Sequence, residues 1–422
     1  MKKSLSERLQ EFLIPISEKV QNMFVLVILR SAMGVLIPIT IIGAIYLLVL
    51  CFPGLSDHYP AGFLSVFTGI FGTMYSLTIP LIAVYVVIAI CYFYADNKEQ
   101  NKLMTCLMGL IAFLTVTPFV DGNIDMQWLG ASGLFVGMFV AFVSSWMYTK
   151  LIEANITIKL PDSVPPMVSQ PFMVIIPGFI IMTVFGLINY LCTLTAYGSL
   201  HAIVFNLLQQ PMMNVALSLP FICVAGALTS LLWWCGIHGD NVIGSILTPF
   251  LMSALTANID AIAKGAEPTY IINYAFWTFF MICGSTLALV GLCCFAKSER
   301  LKSVGRMTFV PLIFNIGEPS LFGLPIMGNV YFLFPFVFNR IVRAIVAYFA
   351  MSSGLVSLCH ANIAWTMPTI ISGFLATGSV SGAILQVVLL GLDVLIYYPF
   401  VKAYDKVCCE EELKLKETAE NK

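Results

Sequence analysis

Apolar runs of spanning length, separated by short polar breaks, recur along almost the whole chain. They fall near 24–50, 64–94, 103–120, 131–149 and 171–193, then at 215–235, 241–257, 271–296, 336–354 and 383–401. Roughly twenty apolar residues suffice to cross a hydrocarbon core as a helix, so the expectation is about ten transmembrane helices. The second run is overlong and contains Pro80, which predicts a kink or a tilted entry. Residues 194–215 and 358–380 are interrupted and read as half-helices. Ahead of the first run, Leu5, Leu9, Phe12, Leu13, Ile16 and Val20 repeat at helical spacing. That spacing predicts an amphipathic helix over residues 1–22, lying on the membrane surface.

The charges supply an orientation. Lys98, Lys102, Lys150, Lys159, Lys297, Arg300, Lys302, Arg306, Lys402, Lys406, Lys414 and Lys416 fall at one set of breaks, whereas Asp57, Asp121 and Asp125 mark the other. The positive-inside bias then puts both termini in the cytoplasm. With five spans before residue 194, three before Lys297 and two near the end, residues 308–335 must enter and leave on one side as a re-entrant hairpin. Composition agrees, because only 10% of the 422 residues are charged and 59% are hydrophobic, against about 25% charged in soluble domains. The class is an all-α polytopic membrane protein. A proline-bearing connector over 151–170 (Pro161, Pro165, Pro166) divides it into an N-terminal membrane subdomain, 23–150, and a C-terminal one, 171–408, followed by a charged cytoplasmic tail, 409–422. A net charge of −1, with no basic block and no Gly-rich phosphate loop, excludes a nucleic-acid partner. The twelve cysteines are isolated in apolar runs or adjacent, with no CxxC, and read as packing residues rather than a disulfide framework or a metal site.

Three polar clusters interrupt the apolar pattern. Glu318 is the one charge between Arg306 and Arg340, and Gly317, Pro319, Gly323 and Pro325 surround it. A charge at bilayer depth costs about 3 kcal/mol or more, and broken backbone there survives only inside protein or along a wet cavity. Glu318 and the nearby Asn315 therefore read as the wall of a polar site. The second cluster is Trp233-Trp234-Cys235-Gly236-Ile237-His238-Gly239-Asp240-Asn241. Glycines let backbone approach a ligand, and indole faces suit the C–H faces of sugar rings, so Trp234, His238 and Asn241 are candidate contacts. No second His or Cys stands at ligand spacing, and no metal or other cofactor is expected. The third cluster holds Trp365 in a stretch broken by Pro368 and Gly373, and Trp365 reads equally as a stacking platform or an interfacial anchor. Arg340 and Arg343 read as residues near a membrane boundary, and Asp393 and Asp405 as structural. A buried carboxylate, a His, tryptophans and amides without excess charge suit a neutral polyol. A channel would show repeated filter elements, a proton pump more intramembrane acids, and a glycosidic enzyme paired acids.

Taken together these motifs resemble the IIC permease component of the bacterial sugar phosphotransferase system, in its lactose/cellobiose/chitobiose branch. The likeness rests on IKLPDSVPPMVSQPF at 158–172, WWCGIHGDNVIGS at 233–245, FNIGEPSLFGLPI at 314–326, AWTMPTIISGFLATG at 364–378 and YYPFVKAYDK at 397–406. WTMPT stands where the family has WTTPP, and GEP where NEP is commoner. The resemblance implies a homodimer of protomers with an N-terminal interface domain and a C-terminal substrate domain. It implies a disaccharide substrate such as cellobiose, chitobiose or lactose, held by His238 and Glu318 with Trp365 lining the site. It further implies that phosphocysteine on a separate IIB protein, charged through IIA, phosphorylates the sugar 6-hydroxyl, with Glu318 and His238 as the catalytic pair. Glu318 then either accepts the hydroxyl proton or only binds sugar. Alternating access would carry the sugar, and the rival reading is a secondary sugar transporter of the same fold that works without phosphorylation.

Overall fold

The computed structural model describes residues 11, 13–16, 18–20, 22–50, 61–161, 165–324 and 326–420. Most of the expected surface helix over 1–22 lies outside them, as do Asp57 and Asp162. Contacts divide the described residues from Phe24 onward into two compact units, Phe24–Val215 and Ala216 onward.

In the first unit, α1 (Phe24–Leu50) and α2 (Ala61–Ser76) precede a break at Pro80, where a single 3₁₀ turn, Ile79–Leu81, leads into α3 (Ile82–Asn97). The overlong second run is therefore two helices, because proline cannot continue the intrahelical ladder. Asn101 caps α4 (Lys102–Val116) by accepting from the Met104 N–H at 3.1 Å. A short β-hairpin, Phe119–Val120 paired with Asn123–Ile124, leads to α5 (Leu134–Glu153). After the connector, α6 (Pro166–Thr193) packs on α4 and α5. The unit ends with α7 (Leu200–Val204), a π-helical turn and α8 (Gln210–Ala216). Ile28, Val86, Ile90, Phe113, Val140 and Phe185, all fully buried, form its core.

The second unit runs α9 (Leu219–Trp234), α10 (Gly239–Ala263), a π-helical segment Phe276–Ile282, α11 (Leu287–Cys293) and α12 (Glu299–Ile313). It continues with a short α13 (Glu318–Gly323), α14 (Val330–Ser352), α15 (Ile371–Thr377) and α16 (Val380–Glu420). α9 lies along α14, and α11 sits between α12 and α16. At 41 residues, α16 is about 60 Å long, roughly twice a hydrocarbon core, so the charged segment from Lys402 onward extends beyond the bilayer as a continuation of the same helix. Its carboxylates hold the start of α12: Asp405 accepts the N–H groups of Lys297 and Ser298 at 2.9 and 2.8 Å, and Glu412 that of Arg300 at 3.0 Å. Those orphan N–H groups are what helix starts leave unpaired.

Among the described residues eight helical stretches are long and apolar enough to cross a membrane, two of them, Val66–Asn97 and Phe276–Cys293, each made of consecutive shorter elements. The two remaining expected spans, near 103 and 215, are α4 and α9, shorter apolar helices of 15 and 16 residues. The segment after α12 is no straight helix. Phe314–Gly317 breaks the helix, and the short α13 that follows contacts α12.

Inside the second unit, Arg343 and Asp393 are fully buried and joined at 2.6 Å. The guanidinium also donates to the carbonyls of Phe280 (3.0 Å) and Cys283 (2.7 Å). Arg343 therefore does not mark a membrane boundary. It satisfies carbonyls left over where the π-helical segment unwinds, and Asp393 supplies its counter-charge, as buried charges in a membrane interior require.

Candidate functional site

A cavity of about 330 Å³ opens in the second unit, bordered by α10, α12, α14, the π-helical segment and the loop carrying Trp365. Ligand cavities begin near this size. His238, Asn315 and Trp365 all border it, so three residues from three separate sequence clusters share one space.

His238 is the N-cap of α10. Its Nδ1 accepts the Asn241 N–H at 3.2 Å. With Nδ1 an acceptor, the proton of the neutral ring sits on Nε2, which becomes a donor. The imidazole lies against the Trp233 indole, ring centres 4.2 Å apart and tilted by 45°. Next in the chain, Gly239 lets α10 start against α9, since a Cβ there would collide with the Thr229 carbonyl. Asp240 follows in the first turn, where a negative charge suits the helix dipole. Its Oδ2 accepts the Trp233 indole N–H at 2.6 Å, and its Oδ1 faces Arg340 at 3.5 Å.

Asn315 sits in the turn before α13 with φ of 60°, a left-handed conformation that Asn tolerates better than other side chains bearing a Cβ. Its amide donates to the carbonyls of Trp365 (2.9 Å) and Met367 (2.7 Å), tying the two polar clusters together, while its buried Oδ1 has no hydrogen-bond partner among the described residues. Asn315→Ala is expected to lose about 2–3 kcal/mol from the two bonds and the backbone conformation, read as a lower thermal midpoint in detergent. Asn315→Gly keeps the backbone free, so it should lose less; equal losses would show that the backbone conformation contributes nothing.

Glu318 opens α13 immediately after Gly317, which borders the cavity; the Glu318 side chain lies outside the described atoms. Trp234 and Asn241 take other places than the cavity wall. Trp234 is fully buried, its indole N–H donating to the Asn329 carbonyl at 2.8 Å and its own carbonyl accepting from Gly328 at 2.9 Å. Adjacent helical residues point about 100° apart, so only one of the two tryptophans can face the cavity, and it is Trp233. Asn241 is exposed and contributes its backbone N–H to the cap.

The rest of the wall was not assigned to the site from the sequence, where Arg340 read as a residue near a membrane boundary. Tyr274, Trp277 and Thr278 come from the π-helical region, and Cys283–Thr286 from its unwound end. There Gly284 adopts φ of 78°, and any Cβ would press on Thr369. Arg340 comes from α14, one turn before Arg343. Its signal was present: two arginines three apart within an apolar span, with Asp240 and Asp393 elsewhere to pair with them. The cavity thus offers donors, acceptors and aromatic faces in a mostly apolar shell, the combination that holds a sugar. No group of three or more metal-binding side chains occurs among the described residues.

Comparison with known proteins follows the same direction. The family described as "Phosphotransferase system, EIIC" matches residues 30–339. The chain is 34% identical over 430 residues to the oligo-beta-mannoside-specific EIIC component of Bacillus subtilis (strain 168), across 98% of this chain and 97% of that protein. It is also 34% identical over 428 residues to the cellobiose-specific EIIC component of Geobacillus stearothermophilus, across 96% and 95%. The crystal structure of the transporter ChbC, the IIC component from the N,N'-diacetylchitobiose-specific phosphotransferase system, superposes with a TM-score of 0.90 at 35% identity, covering 96% of this chain and 99% of that one.

Proposed function

Because this chain belongs to the EIIC family of the phosphotransferase system, a membrane-spanning sugar permease that acts with IIA and IIB partners, we propose that it binds a β-linked disaccharide in the cavity around His238 and presents the sugar 6-hydroxyl to phospho-IIB. The observation that supports this reading is the shared cavity itself. A histidine with a donor Nε2, an asparagine with an unpaired Oδ1 and three indoles line one space with little net charge. The sugars named for its relatives, cellobiose, oligo-β-mannosides and diacetylchitobiose, support that substrate class.

Transport proceeds by alternating access, from an outward-open to an inward-open site. At the inward face Glu318 takes the proton of the 6-hydroxyl as its oxygen attacks the phosphorus of the IIB phosphocysteine, and the cysteine thiolate leaves. His238 donates through Nε2 to hold the sugar in place. Both termini face the cytoplasm, as the Lys and Arg distribution favours. The protein works as a homodimer through its N-terminal subdomain.

The rival, a transporter without phosphorylation, is separated by one reconstitution. Proteoliposomes holding the protein are given purified IIA, IIB and phosphoenolpyruvate with radiolabelled cellobiose and related disaccharides. Sugar phosphate as the internal product is the expected result; free sugar accumulating at the same rate with and without IIB would favour the rival.

A further inference from the structure

Arg340 is the group in the cavity whose chemistry is least accounted for. It is 5% exposed, on α14, and its Nε and NH1 have no hydrogen-bond partner among the described residues. Asp240, on α10, faces it with an equally unpartnered Oδ1. The 3.5 Å between them makes an ion pair without hydrogen-bond geometry. More than nine in ten buried polar groups find a partner, so orphaned atoms on both members of one pair, on one cavity wall, call for a ligand that satisfies both at once.

The ligand chemistry follows from the pair. Arg340 can only donate and ionised Asp240 can only accept, whereas a hydroxyl does both. Two hydroxyls on adjacent ring carbons can therefore sit across the pair, one accepting from the guanidinium and the other donating to the carboxylate. An anion such as a phosphate would gain from Arg340 but meet the Asp240 charge, and the pair as a whole is neutral. The other oxygen of Asp240 is already fixed by the Trp233 indole at 2.6 Å, so the acceptor is held in place before any sugar arrives, and the Arg340 guanidinium carbon lies 6.0 Å from the centre of the Phe336 ring.

We propose that the Arg340–Asp240 pair recognises one pair of adjacent hydroxyls on the disaccharide and sets which sugars the cavity takes. This rests on the permease reading above. Trp233, besides bordering the cavity, positions Asp240 through its indole N–H.

The test uses the full chain purified in detergent. Cellobiose, mannobiose, lactose and diacetylchitobiose are titrated by calorimetry, and the tightest binder is compared with its monodeoxy derivatives. Asp240→Asn, which keeps an oxygen for the indole, and Arg340→Gln should each weaken the parent disaccharide about tenfold or more, the scale of a hydrogen bond to a charged group. Each substitution should cause no further weakening against the monodeoxy derivative that lacks the hydroxyl its own residue contacts, and the two derivatives so identified should lack adjacent hydroxyls. Equal losses for the parent and every deoxy derivative would make the pair structural and overturn the proposal, as would wild-type affinity in both variants. Should Arg340→Gln fail to fold, Asp240→Asn alone decides between these outcomes. A wild-type protein that binds none of the four disaccharides defeats the permease reading instead, a result distinct from parallel losses.

Discussion

Asp393→Leu is expected to destabilise the protein by about 3–5 kcal/mol, the effect of stranding one member of a buried ion pair. The reason is local. Asp393 and Arg343 are both fully buried, and the guanidinium left behind would keep its bonds to the Phe280 and Cys283 carbonyls but lose its counter-charge. Arg343→Met should do comparable damage from the other side, leaving an unpaired carboxylate and two carbonyls without donors. The double substitution should fall well short of the sum, since it removes both charges together. Thermal midpoints of the four proteins in detergent form the cycle, and additive losses would show that the two side chains stabilise the protein independently. Because Cys283–Thr286 borders the cavity, sugar affinity should fall with Arg343→Met even in the folded fraction.

Glu318→Gln should slow sugar phosphorylation by about a hundredfold or more, the scale of losing a positioned general base, while sugar binding falls by far less. The substitution keeps the shape and the hydrogen-bonding capacity of the side chain and removes its basicity. Vectorial phosphorylation in proteoliposomes with IIA, IIB and phosphoenolpyruvate gives the rate, and calorimetry gives the affinity. Wild-type rates would dismiss the base role. Loss of binding together with phosphorylation would make Glu318 first of all a ligand for the sugar hydroxyls.

Both expectations also bear on how much could be read from the chain alone. Span number and placement were legible because a bilayer imposes a length on every apolar run; the deviations were α4 and α9, both shorter than the runs suggested. The Pro80 break was legible because proline lacks the N–H a helix needs. His238, Asn315 and Trp365 were found as anomalies, polar or amphipathic groups among breaks in apolar sequence, and the structure brings all three to one cavity.

What stayed hidden depends on direction and on distance along the chain. Trp233 and Trp234 are equivalent as letters, and only the rotation of α9 turns one towards the cavity and the other into the core. Arg340 and Arg343 read alike, yet one borders the cavity opposite Asp240 while the other, one turn on, is consumed by Asp393 and two loose carbonyls. A sequence taken alone determines that such charges must be neutralised inside a membrane, since the solvent there offers them nothing. Which partner neutralises each is decided by tertiary packing, because Asp240 lies 100 residues from Arg340 and Asp393 lies 50 from Arg343, and only the folded helices bring them within reach.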